Sequence, residues 1–160
     1  VGKFKDNVGR EWAITIAVTD MKRVRALARV DLVECVTGDL WRRIVNDPVL
    51  LADVTFALVK PQADAAKVSD EDFGRSMWGG PLADALEALQ DALTDFFPSH
   101  QHPTLMARYL EAAEEVLARI GEARKVMGLE SRPPVSGDGP GGPPESSAST
   151  PAPSPSANST

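Results

Sequence analysis

The 160 residues offer only one cysteine, one tyrosine and two histidines, so thiol, phenol and imidazole chemistry has few possible carriers. Cys35 alone excludes an intrachain disulfide and a cysteine metal cluster, and fits a reducing, intracellular setting. No apolar run approaches eighteen residues, so no stretch reads as a membrane span. The N-terminus alternates polar and apolar residues and does not build the apolar core of a secretion signal. P-loop, G-x-S-x-G and H-E-x-x-H patterns are absent, and GGP at Gly79–Pro81 reads as a helix break, since it lacks the spacing of a phosphate cradle. Basic excess is missing as well. The net charge is −6, of which the part from Ser131 onward carries −1 (Arg132 against Asp138 and Glu145) and the remainder −5. A net-negative domain disfavours non-specific contact with nucleic acid or an anionic membrane. The expectation is a protein without catalytic, cofactor-binding or metal-ligating residues, and not an enzyme.

What is present is a strong helical pattern. PVLLADVTFALVKP, from Pro48 to Pro61, is apolar around most of a helix, interrupted before Lys60 only by Asp53 and Thr55. Such a helix belongs between neighbours, with Pro48 in its first turn and Pro61 as its stop. Ahead of it, Lys3–Lys5 and Trp12–Val18 read as a hairpin around the turn residues Asp6–Gly9. Phe4, Trp12, Ile14, Ile16 and Val18 share one face at period two. A lone hairpin is marginal in water, so that face must meet the helices or another chain.

Thr19 reads as an N-cap for a helix with Met21, Val24 and Leu27/Ala28 inward and Lys22, Arg23, Arg25 and Arg29 outward. Asp31–Val36 is a second short segment, and Asp39 can cap Leu40–Val45. After Pro61, QADAAKV reads as loop. Ser69 with Asp72 forms an aspartate version of the capping box before Phe73 and Met77. Past Gly79-Gly80, Leu82, Leu86, Leu89, Leu93 and Phe96/Phe97 make one stripe to Pro98. SHQHP is a linker to a last helix, about Thr104 to Met127, burying Leu105, Tyr109, Ala112/Ala113, Val116, Ile120 and Ala123. These last two helices should pair antiparallel.

The fold class is therefore α+β, mainly α: an N-terminal β-hairpin packed on a small multi-helix domain over residues 1–130. Residues 131–160 follow as a disordered tail. From Ser131 onward the chain has eight Pro, eight Ser and four Gly, too little apolar surface to offset the entropy of ordering.

Chemistry-bearing candidates are few. His100 and His102 form an H-x-H that reads as a solvated linker, with a metal pair as the alternative. Asp70-Glu71-Asp72 suits a helix N-terminus; an acid/base or divalent-cation role would need further partners. Cys35 reads as a small buried hydrophobe, for lack of a base near in sequence. The basic face of Lys22, Arg23, Arg25 and Arg29, with Arg42 and Arg43, is open to three readings: a solvated surface, a protein partner or nucleic acid. Trp12, Trp41 and Trp78 are large anchors. Trp78 stands where a helix breaks, either packed across the junction or exposed for binding. Trp12, Trp78, Gly79 and Gly80 are the candidate protein-binding residues.

The order KFKDNVGREWAITIAV, TDMKRVRALARVDL, NDPVLLADVTFALVKPQA, VSDEDFGRSMWG and LADALEALQDALTDFFP resembles the small tail assembly chaperones of tailed phages and prophages. The resemblance covers about residues 3 to 127. It implies a non-enzymatic protein, made in the cytoplasm of the infected bacterial cell, that binds the tape-measure protein and promotes tail-tube assembly. It names the tail-tube protein as a second partner, leaves self-association open, and involves no cofactor. A virion structural component, such as a head–tail connector or tail completion protein, is one alternative. A nucleic-acid-binding regulator is the other.

Overall fold

The computed structural model describes residues 1–128; the expected disordered tail at 131–160 lies outside the described residues. A two-stranded antiparallel hairpin, β1 (Gly2–Lys5) and β2 (Glu11–Ile14), leads into seven helices among those residues. They are α1 (Val18–Leu27), α2 (Glu34–Thr37), α3 (Leu40–Asn46), α4 (Pro48–Ala65), α5 (Asp70–Ser76), α6 (Gly80–Phe96) and α7 (His102–Val126), with a 3₁₀ turn at Ser99–Gln101. The expected α+β, mainly helical architecture is the observed one.

The centre is α4. Leu51, Val54, Thr55, Phe56, Ala57, Leu58, Val59 and Ala63 are all buried, and α1, α3, α5, α6 and β2 pack around it. Asp47 caps it, accepting from Val49 N at 2.9 Å and Leu50 N at 3.1 Å. The buried Thr55 hydroxyl satisfies itself on the Leu51 carbonyl at 2.8 Å.

Pro61 does not stop α4, which runs to Ala65. A proline inside a helix strips the carbonyl four residues earlier of its donor, here that of Ala57. The Arg23 guanidinium of α1 approaches that oxygen at 3.5 Å and supplies a donor. The turn after Pro61 thus survives by a tertiary contact, and Gln62 to Ala65 are helix where a loop was expected.

The hairpin is shorter than its pattern. Phe4, Trp12 and Ile14 are buried as expected, but pairing ends at Ile14, Ile16 is half-buried and Val18 is 63% exposed. Val18 instead opens α1, whose N-cap is Ala17 and not Thr19; the Asp20 carboxylate accepts from Ala17 N at 2.8 Å. The inward face of β1 rests on α6. A Cβ on Gly2 would meet the Ala88 carbonyl oxygen at 2.0 Å, so β1 approaches the helix backbone more closely than any side chain permits. The buried face of α6 accordingly centres on Ala85, Ala88, Leu89, Ala92 and Leu93, with Leu82 and Leu86 at its margin.

Two aromatic foci hold the layers. Phe73 of α5 takes Trp12 at 5.5 Å, Phe56 at 5.3 Å and Phe4 at 6.5 Å between ring centroids. In the second focus Trp41 of α3 meets Tyr109 of α7 at 4.4 Å. Through that contact α7 packs on α3 and α2, and it does not form the expected antiparallel pair with α6. The linker is also more ordered than its composition implied. His102 opens α7, and its Nε2 lies 2.7 Å from the Phe97 carbonyl oxygen. Only Leu105, Tyr109 and Ala112 of α7 are buried; Ala113, Ile120 and Ala123, expected inside, are exposed, and Val116 is half-buried.

Candidate functional site

The turn between the strands is built on a buried carboxylate. Asp6, 4% exposed, accepts from Val8 N at 3.0 Å, Arg10 N at 2.9 Å, Arg10 Nε at 2.6 Å and the Trp12 indole at 3.0 Å. Ser76 Oγ, at the end of α5, lies 3.3 Å away and accepts from Arg10 Nη2 at 3.0 Å. Burial raises the pKa of Asp6. The hydrogen bonds from Arg10 and Trp12, with the Arg10 charge, outweigh it and hold the carboxyl below its ordinary value of 3.8. The sequence reads Asp6 as a turn residue; the signal for more is an aspartate four residues before an arginine and six before a tryptophan across one tight turn.

This hub fixes the corner beside it. Asn7 Nδ2 donates to the carbonyls of Ser76 at 3.0 Å and Trp78 at 2.8 Å, and Asn7 N bonds Ser76 O at 3.1 Å. Gly79 follows with φ +63°, a left-handed conformation that suits glycine, and Pro81 lies in the first turn of α6. Trp78 is thus held by its carbonyl on Asn7 and followed by the Gly79 turn, while the residue is 64% exposed. Val8, 72% exposed, stands next to Asn7 at the rim of a depression of about 450 Å³ that Arg10, Ala66, Val68 and Arg75 also line.

Of the four candidate binding residues, Trp78, Gly79 and Gly80 come together at this exposed corner. Trp12 does not join them at the surface. It is 2% exposed, packed on Phe73 and bonded to Asp6, and so supports the corner from beneath.

The hairpin margins differ. At β2, Gln62 acts as a one-residue strand: Ala13 N donates to Oε1 at 3.0 Å and Nε2 donates to Ala13 O at 2.7 Å. That margin is occupied. The register turns the main-chain groups of Lys3 to the other margin, beside a depression of about 430 Å³ lined by Lys3, Lys5, Glu11, Asp84, Glu87 and Asp91.

Elsewhere burial governs the titratable groups that are shifted upward. Cys35 is fully buried, and desolvation, with Glu34 and Asp31 nearby, pushes its thiol up to about 12. Burial raises Tyr109 too, and its hydroxyl donates to Gln90 O at 3.3 Å. Burial also raises Asp53, helped by Asp70 and Asp47. Ser69 caps α5, accepting from Asp72 N at 3.1 Å and donating to its carboxylate at 2.7 Å, which accounts for the position of Asp72 in the acidic cluster. No group of three or more potential metal ligands converges among the described residues. The basic face is partly neutralised, with Arg23 on Asp20 at 2.8 Å, Arg25 on Asp31 at 2.5 Å and Arg42 on Asp39 at 3.4 Å. No helix among the described residues is long and apolar enough to cross a membrane. No family model matches the chain, and comparison with curated proteins and with solved structures finds no similar protein.

Proposed function

We propose that this chain is a non-enzymatic protein-binding assembly factor whose anchor is the Trp78 corner. The carrying observation is the contrast among its tryptophans. Trp12 and Trp41 are 2% and 3% exposed, whereas Trp78 is 64% exposed on a backbone pinned by Asn7. A large side chain presented on a fixed backbone costs little entropy to bury, which is the property of an interface anchor. The specific form of the reading is the tail assembly chaperone that the sequence resembles. Its client is the tape-measure protein, with the tail-tube protein as a second partner, in the cytoplasm of the infected bacterium.

The test is co-expression of the tape-measure protein with and without this chain, scored by soluble yield, followed by binding of the recovered complex over a salt series. The chain should raise soluble yield, and Trp78→Ala should reduce the rescue while leaving the far-UV helix signal intact. Added salt should weaken the complex only modestly. A client equally soluble alone, with this chain retained in purified particles, would favour a virion structural component. Binding to DNA with a steep salt slope would favour a regulator.

A further inference from the structure

α7 carries two apolar stripes, and only one is covered. Leu105, Tyr109 and Ala112 face α3 and α2. One position further round, Met106, Leu110, Ala113, Leu117, Ile120 and Met127 follow at alternating spacings of four and three, closing with seven across Arg124. That is the heptad spacing of a coiled-coil seam. Every one of them is exposed, Leu110 at 65%, Leu117 at 67% and Met127 at 65%. From Leu117 onward all described residues of the helix are exposed. These ten helical residues, tied to the body by one side-chain bond from Arg119 to Asn46 Oδ1, are marginal in water, so this half of α7 gains its stability from whatever covers the seam.

We propose that the cover is α7 of a second copy of this chain, in an antiparallel two-fold pairing. Two observations select it. The first is register. Setting Leu117 against Ile120 of the other copy also sets Leu110 against Met127 and Ala113 against Arg124, so each large residue meets a large one and the arginine meets the smallest. The pairing is self-complementary, as a two-fold interface requires. It overlaps about 27 Å of helix from Leu110 to Met127, at about 1.5 Å per residue.

The second is charge. Arg108–Glu111 and Glu115–Arg119 are paired within the helix at 3.1 and 3.2 Å, whereas Glu114 and Arg124 have no ion-pair partner among the described residues. The antiparallel register brings Arg124 of each copy to Glu114 of the other, with Gly121 leaving room on the same side. A parallel pairing would instead place Arg124 against its own copy inside the seam. It would also crowd both globular bodies at one end.

This inference does not rest on the client reading, because it uses α7 and leaves the Trp78 corner free. The test is the molar mass of the full chain by light scattering at micromolar concentration, alongside Leu117→Glu and the charge variants Glu114→Arg and Arg124→Glu. The native chain should show twice its 17.1 kDa mass. Leu117→Glu should raise the dissociation constant roughly 100-fold or more by forcing two carboxylates into the seam. Its near-ultraviolet spectrum should stay native, since Leu117 is 67% exposed. Each charge variant alone should weaken the dimer, and the two combined should restore it, which only the antiparallel register allows. A native chain that stays monomeric, a dimer indifferent to Leu117→Glu, or a failed charge exchange would overturn the proposal. So would dimerisation that appears only when residues 129–160 are deleted, which would assign the seam to that segment.

Discussion

Among the described residues α4 and α7 are the two longest helices, and they use their apolar residues in opposite ways. α4 buries eight of 18 residues around most of its circumference; α7 buries three of 25, all in its first half. Both show apolar periodicity in the sequence. The difference is that α4 lies between elements from both ends of the chain, whereas α7 is the last described helix and has the body on one side only. Periodicity identifies an apolar face; it does not say whether the same chain supplies the cover.

The largest expected effect lies in the polar hub at the hairpin turn, where Asp6 meets Arg10, Trp12 and Ser76. Asp6→Ala should destabilise the domain by about 3–5 kcal/mol, because Arg10 and the Trp12 indole lose a buried partner together. Urea unfolding followed by tryptophan fluorescence measures it, and a loss under about 1 kcal/mol would show the hub to be dispensable. The pH dependence has a definite sign. The folded pKa of Asp6 lies below 3.8, so its contribution is present above that value and is lost as pH falls through the folded pKa. Asp6→Asn should therefore flatten the acid limb of the stability profile.

Within the helices the contrast can be broken directly. Leu58→Ala in α4 should cost about 2–5 kcal/mol through lost transfer energy and a cavity. Leu117→Ala in α7 should cost the dilute, monomeric chain no more than about 0.5 kcal/mol, as an exposed position does. Equal costs would mean that the two helices are covered alike.

Gln62 sharpens the boundary between core and margin. Gln62→Ala removes both bonds to Ala13 and should cost about 1–2 kcal/mol, with faster amide exchange at Ala13 and unchanged exchange at Ile14. The smallest effect belongs to Trp78. Trp78→Ala should leave the unfolding midpoint nearly unmoved, within about 0.5 kcal/mol, while removing client binding. A large stability loss would make the tryptophan a packing residue and withdraw the anchor.

Much of the fold is legible in the residues themselves. The mainly helical class, the buried α4, the Ser69 cap and the break at Gly79-Gly80 all follow from local rules, namely apolar period, side-chain acceptors near free N–H groups, and the φ range of glycine. Such features are decided within one or two turns, and there the order of residues suffices.

The rest depended on partners distant in sequence. Pro61 reads as a stop until Arg23 reaches the carbonyl it strands, and Gln62 reads as loop until the extra helical turn lays it along β2. Trp12 and Trp78 are alike as residues; one lies beneath Asp6 and Phe73 and the other stands free because Asn7 fixes its carbonyl and turns the chain. Ala113 and Ile120 read as inward positions of α7, and their exposure was not legible. Burial is a property of the neighbours a residue meets, and only the tertiary structure brings those neighbours together.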